Sequence, residues 1–223
     1  MNKYIIEFIG TFFLVLIIGL TQNPLAIGFG VTALVYMGAH ISGAHYNPAV
    51  SIAMLIRSEI GFNDFVKYVL AQVLGSAFAA YIVYAISSSI VIQPNLDESV
   101  YAILLAELLF TYLLILVILN IACHPKVDGN SFYGLAYGLT VMVGIYAVGP
   151  LSGGVFNPAV SIGPSIIDLI TDGGTSQYFV WYYLTAPIIG SVLAVITFNY
   201  ICLLYTSDAA DEGLGVDLGG RRI

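Results

Sequence analysis

Charged side chains are what this chain has least of. Only 9% of its 223 residues are Asp, Glu, Lys or Arg, and six of those are basic. A water-soluble domain needs about a quarter of its residues charged to cover its surface, so that class is excluded. Cysteine is also scarce. Cys123 and Cys202 show neither metal-ligand spacing nor a disulfide framework. No nucleophile–base set, metal cluster or phosphate loop is present. The sequence therefore predicts a protein that is not an enzyme, has no cofactor or metal, and has no nucleic-acid partner.

Apolar length is what the chain has in abundance: 59% of residues are hydrophobic and the mean hydropathy is +0.95. Runs of about 18 or more apolar residues cross a bilayer, since roughly 20 residues at 1.5 Å rise span a core of about 30 Å. Such runs lie near 4–22, 25–41, 65–90, 100–122, 132–149 and 178–201. The first is too long and too poorly flanked for a cleaved signal peptide, so it is predicted to stay as a helix. Before the last twenty-odd residues the basic side chains are Lys3, Arg57, Lys67 and Lys126, and six spans put all of them on one side. Asp97, Glu98, Asp168 and Asp172 fall on the other. The positive-inside rule then predicts a multi-pass protein of the cell inner or plasma membrane with both termini cytoplasmic. Tyrosines near the span ends suit an interfacial belt. Gly75, Ser76, Ala79 and Ala80 suit close helix packing.

The chain repeats itself. EFIGTFFLV at 7–15 parallels ELLFTYLLI at 107–115, pairing Glu7 with Glu107 and Thr11 with Thr111. FGVT at 29–32 parallels YGLT at 137–140, and SGAHYNPAVSI at 42–52 parallels SGGVFNPAVSI at 152–162. AQVLGS at 71–76 is echoed by APIIGS at 186–191. Halves of about 1–95 and 96–201 hold three spans each. An odd number forces the second half into the membrane in the opposite sense, an inverted repeat with its site near the midplane.

The repeated Asn-Pro-Ala-Val-Ser-Ile falls between spans and reads as a helix start. Asn47 or Asn157 is the cap, and Pro48 or Pro158 takes the first helical position, where no N–H is needed. Ala49 and Ala159 follow. The apolar residues after Asn47 run only about ten positions to Arg57, roughly 15 Å, which is half a bilayer. Each copy is thus predicted to be a re-entrant half-helix. Irregular backbone at that depth is tolerated when buried or lining a wet cavity. Backbone carbonyls over about 40–46 and 150–156 would then offer a line of acceptors.

Two such copies, each after a Ser-Gly in a six-span inverted repeat, resemble the major intrinsic protein family of aquaporins and glycerol facilitators. The likeness covers residues 1 to about 201 and includes AHISGAHYNPAVS, GPLSGGVFNPAVSIGP and Pro187. It implies an all-α membrane fold with six transmembrane helices and two half-helices meeting end to end, Asn47 and Asn157 facing a narrow pore. It also implies a passive channel for water and small neutral solutes, and a homotetramer in the lipid bilayer. Glu7 and Glu107 would accept hydrogen bonds from the re-entrant loops rather than relay protons. His40 and His45 would either brace the first loop or line the pore, and Gln72 would pack between helices.

At the selectivity filter the chain departs from that family. An arginine commonly follows the second Asn-Pro-Ala; here the residue is Val160. Alignment from the motifs gives a ring of Ile27, Ile145, Gly154 and Val160, with Gly28 as the one-residue alternative to Ile27. The ring has no charge and no aromatic plane. Ser161 stands where glycerol facilitators commonly carry an aspartate. A coupled transporter of the same plan, and a poorly conducting relative, remain as alternatives.

From Cys202 the sequence changes character, to CLLYTSDAADEGLGVDLGGRRI. TGTCTCTTATACACATCT encodes Cys-Leu-Leu-Tyr-Thr-Ser and resembles a transposase end used in sequencing libraries. GACGCTGCCGAC and GTAGATCTCGGTGGTCGCCGTATC encode the Asp-Ala-Ala-Asp and the final eight residues, as in the matching adapters. Residues 202–223 are therefore predicted to be adapter read-through without a role in function.

Overall fold

The described residues form eight α-helices: α1 (Asn2–Thr21), α2 (Pro24–Ser42), α3 (Pro48–Ile56), α4 (Phe62–Ile86), α5 (Val100–Ala122), α6 (Tyr133–Ser152), α7 (Pro158–Thr171) and α8 (Val180–Gly219). This computed structural model describes residues 2–171 and 173–219, with side chains through Ile201. Asp172 and the side chains of 202–223, on which two of the sequence expectations fall, lie outside the described residues. Six helical stretches are long and apolar enough to span a membrane: α1, α2, α4, α5, α6 and Ser176–Ile201. The last opens with a 3-10 turn, Ser176–Phe179. No strand occurs among the described residues.

Helix starts follow local chemistry. The Asn23 side chain accepts from the N–H groups of Leu25 and Ala26 at 2.9 and 3.3 Å, with Pro24 in the first position. The Ser99 hydroxyl accepts from Ala102 at the start of α5. The third span starts and ends earlier than the apolar run near 65–90. α4 stops at Ile86, and residues 87–99 form an extended loop. Ile90 and Ile92 are buried in that loop, the Ile92 N–H donates to the Ser176 hydroxyl, and the Asn95 N–H donates to the Leu151 carbonyl. Hydropathy alone does not separate a span from an apolar loop packed on the protein.

α1 packs on α4 and α5 on α8 in matching fashion. A Cβ on Gly75 would lie 2.4 Å from the Phe8 carbonyl oxygen, and one on Gly190 would lie 2.5 Å from that of Leu108. α2 and α6 cross at Gly28 and Gly138, each of whose added Cβ would strike the other's carbonyl oxygen. That reciprocity makes Gly28 the counterpart of Gly138. It corrects the pairing of FGVT with YGLT, which is two residues out of register: both helices contain a Gly flanked by apolar residues, and only the crossing point fixes the phase. Both helices end on a left-handed glycine, Gly43 (φ 85°) and Gly153 (φ 95°).

Polar pairs gather at one end of the bundle. Lys3 Nζ meets Asp64 at 2.8 Å, and the Tyr4 hydroxyl donates to the same carboxylate. Arg57, at the foot of α3, donates to Asn199 Oδ1 at 2.7 Å and stacks over Phe198. Exposed apolar side chains such as Phe13, Leu70, Leu74, Leu105 and Ile196 cover the outside of the bundle. In water such a surface would aggregate; in hydrocarbon it is the expected solution.

Candidate functional site

α3 and α7 enter the bundle from opposite ends and stop with their starts together. Asn47 Oδ1 accepts from the Ala49 N–H at 2.8 Å, and Asn157 Oδ1 accepts from that of Ala159 at 3.0 Å. The amide nitrogens cross over. Asn47 Nδ2 donates to the Phe156 carbonyl, and Asn157 Nδ2 donates to the Tyr46 carbonyl, both at 2.9 Å. Each amide uses one hydrogen in that bond, which leaves its second for another acceptor. Ser76 and Ser191 tie the first turns from outside, donating to the carbonyls of Ala159 and Ala49 at 2.7 Å each. The half-helices differ in length: α3 has 9 residues and α7 has 14, roughly 14 and 21 Å.

The loops before each Asn need help to hold their shape. Ala44, Tyr46 and Phe156 are non-glycine residues at φ of 50°, 49° and 51°, a region that costs about 1 kcal/mol or more for an L-residue. Buried acids hold them there. Glu7 accepts from the Ser42 hydroxyl (2.6 Å), the His45 and Tyr46 N–H groups (2.9 and 2.7 Å) and Gln72 Nε2 (2.8 Å). Glu107 accepts from the Ser152 hydroxyl (2.7 Å) and the Val155 and Phe156 N–H groups (3.0 and 2.7 Å). Successive N–H groups in a left-handed turn form a concave donor set for an acid. The irregular backbone is shorter than the sequence suggested: α2 and α6 run on to Ser42 and Ser152, so the non-helical stretches are 43–47 and 153–157, and within them the His45, Tyr46 and Phe156 carbonyls already accept hydrogen bonds.

His45 is buried in this network, its Nδ1 3.0 Å from the Ser51 hydroxyl. Gln72, expected only to pack between helices, also donates to that hydroxyl at 3.0 Å. His40, expected either to brace the first loop or to line the pore, lies apart from that network. It is exposed on the wall of a cavity of about 630 Å³, on the Lys3 side, and makes no hydrogen bond to the loop among the described residues. Two positions along α2, about 200° around the helix axis, separate it from the buried face that carries Ser42.

A second cavity, about 420 Å³, opens on the opposite side and reaches Asn47 and Asn157. Ile27, Ile145, Gly154 and Val160 all line it. Gly28 does not; it sits at the crossing with α6. A Cβ on Gly154 would fall 3.1 Å from Ile145 Cα, so these two ring members pack directly together. No charged side chain lines this cavity among the described residues. Sequence reasoning missed five polar contributors, Tyr46 and Tyr146 among them. Gln22 and Gln93 line it from the loops after α1 and α4, and Tyr137 from α6. The glutamines carry no sequence signal, because the docking of the 87–99 loop is a tertiary event. Tyr137 does carry one: it stands twenty positions before Asn157, as Ile27 stands twenty before Asn47.

Six membrane-length helices, two half-helices capped by crossed asparagines and a narrow central cavity define a membrane pore protein. Comparison with known proteins places it more closely. The model of the major intrinsic protein family matches residues 1–198. The glycerol uptake facilitator protein-like 6 of Lactiplantibacillus plantarum is 35% identical, over 87% of this chain and 95% of that protein. Aquaporin AqpM of Methanothermobacter thermautotrophicus is 32% identical, over 90% and 97%. The X-ray structure of the aquaglyceroporin from Plasmodium falciparum superposes with a TM-score of 0.81 at 25% identity, covering 91% of this chain and 97% of that one. The chain belongs to the major intrinsic protein family. It is an integral, multi-pass membrane channel for water or small solutes, and not an enzyme.

Proposed function

We propose that this channel conducts water together with small uncharged solutes such as glycerol, urea or ammonia, passively, and that its paired Asn-Pro-Ala half-helices keep cations and protons out. The observation that carries this reading is the meeting of two asparagine-capped helix starts at a cavity without charged walls. Each helix start carries about half a positive charge. Two of them facing one passage raise a barrier to cations. The spare amide hydrogens of Asn47 and Asn157 would orient a passing oxygen and interrupt a proton-conducting chain of waters.

Ile27, Ile145, Gly154 and Val160 are proposed as the outer filter. Without an arginine, cation exclusion there falls to the half-helix dipoles alone. Glu7, Glu107 and His45 are proposed to brace the loops, with His40 at the pore mouth. Stopped-flow light scattering on proteoliposomes, under water, glycerol and urea gradients, tests the reading with native protein and Val160→Arg. Flux above empty liposomes is expected, and Val160→Arg should narrow the solute range. Flux equal to empty liposomes would sink the channel reading.

Three further proposals rest on family membership and on charge. The protein assembles as a homotetramer, which sedimentation in detergent tests. Both termini are cytoplasmic in the cell inner or plasma membrane, as the grouping of Lys3, Arg57, Lys67 and Lys126 indicates; terminal reporter fusions test that. Residues 202–223 play no part in conduction, and the family match stops at residue 198. Amplifying the locus from source DNA tests whether those residues are encoded.

A further inference from the structure

The relation that carries Asn157 onto Asn47 also carries the outer ring onto a second set of residues. Ile27 maps to Tyr137, Ile145 to Val35, Gly154 to Ala44 and Val160 to Val50, as the reciprocal crossing of Gly28 and Gly138 requires. All four line the cavity on the Lys3 side. They are buried, between 1% and 7% exposed. Tyr137 is the only described residue that lines both cavities. Its hydroxyl donates to the His45 carbonyl at 2.9 Å, joining α6 to the first re-entrant loop across the space between them.

The outer ring does not interrupt its cavity, which continues past Ile27 and Val160 to the two asparagines. The interruption comes at Tyr137. We infer that Tyr137, Val35, Ala44 and Val50 form a second constriction, on the Lys3 side of the asparagines, and that this inner ring rather than the outer one sets the rate and the size cut-off of permeation. A phenol held by a carbonyl is bulkier than any outer-ring side chain. Its bond also uses an acceptor of the loop, so a passing solute must displace it or pass beside it. This inference rests on the channel reading above and names the residue that would limit the flow.

The test uses full-length protein in liposomes, with water, glycerol and urea gradients, comparing native protein with Tyr137→Phe, Tyr137→Ala, Val50→Ala and Ile27→Ala. Loss of one hydrogen bond changes a closed-to-open balance by about two- to tenfold. Tyr137→Phe should raise water flux within that range. Tyr137→Ala should also admit glycerol faster by about an order of magnitude, as expected when a hydrophobic constriction widens. Val50→Ala widens the same ring from α3 and should act in the same direction, so it decides the matter if Tyr137→Ala is not monodisperse in detergent. Ile27→Ala should change the cut-off less than either. A native protein that conducts poorly, with Tyr137→Ala or Val50→Ala conducting well, would support the inference. Well-folded variants with native flux and cut-off, or a larger effect from Ile27→Ala, would overturn it and leave the channel reading intact. Flux in none of the proteins would overturn both.

Discussion

Four donors converge on Glu7, and three on Glu107. The difference is Gln72, whose counterpart in the second half is Pro187. It spreads outward. Gln72 and His45 both meet the Ser51 hydroxyl, whereas the matching Ser161 hydroxyl is buried without a partner among the described residues, Val155 standing in place of the histidine. Tyr46 sends its hydroxyl to the Leu34 carbonyl, while Phe156, in its place, stacks on Phe110. What stays the same is backbone chemistry: the two acids, the Ser-Gly turns, the crossed asparagines, Ser76 with Ser191, and Tyr68 with Tyr183, which donate to the Ser42 and Ser152 carbonyls at 2.8 and 2.7 Å. The repeat holds where unpaired backbone groups at membrane depth would be costly. Elsewhere the first half has become the more polar frame and the second the more apolar one.

Removing the acids should break the comparison most visibly. Glu7→Leu strands four buried donors and Glu107→Leu three, at about 1–3 kcal/mol for each group left unpaired. Thermal unfolding in detergent should show both variants strongly destabilised, Glu7→Leu the more so. A larger loss for Glu107→Leu would mean the extra donor on Glu7 adds nothing.

The crossed asparagines test the symmetric part. Asn47→Ala and Asn157→Ala each remove a helix cap, worth about 1 kcal/mol, and one bond to the opposite loop. Equal losses in unfolding temperature are expected, together with proton leakage followed by a pH-sensitive dye inside liposomes. A marked inequality between the two would show that the loops do not share the load.

The serines sharpen the asymmetric part, with the smallest effects. Ser51→Ala removes a partner of both Gln72 and His45 and should cost about 1 kcal/mol. Ser161→Ala removes a hydroxyl without a partner among the described residues and should be neutral or slightly stabilising. Equal costs in paired melting curves would indicate that Ser161 is satisfied by solvent.

The outline of the fold was legible because span length and helix starts are local. Runs of apolar residues gave six helices to within a few positions, and Asn-Pro gave the starts of α3 and α7. The candidate ring residues could be counted from those motifs. Three things were not legible. The run near 65–90 hid a helix end at Ile86, since an apolar loop buried against protein has the same hydropathy as a span. The register of α2 against α6 was set two residues wrong by FGVT and YGLT, since short apolar tetrapeptides recur by chance. His40 and His45, five positions apart, looked alike as polar residues near a motif, yet one is buried and bonded and the other faces a cavity.

By itself, then, the sequence determined class and plan: too little charge for water, six spans, an odd number per repeat and two capped half-helices, all consequences of periodicity, length and local capping. Only the tertiary structure decided which residues meet across the axis. Glu7 with the 42–46 turn, Asn47 with Phe156, Gly28 with Gly138 and Tyr137 with His45 join positions between 35 and 110 residues apart. Such pairings depend on helix phase and on the angle at which helices cross. Neither is written in any one stretch of the chain.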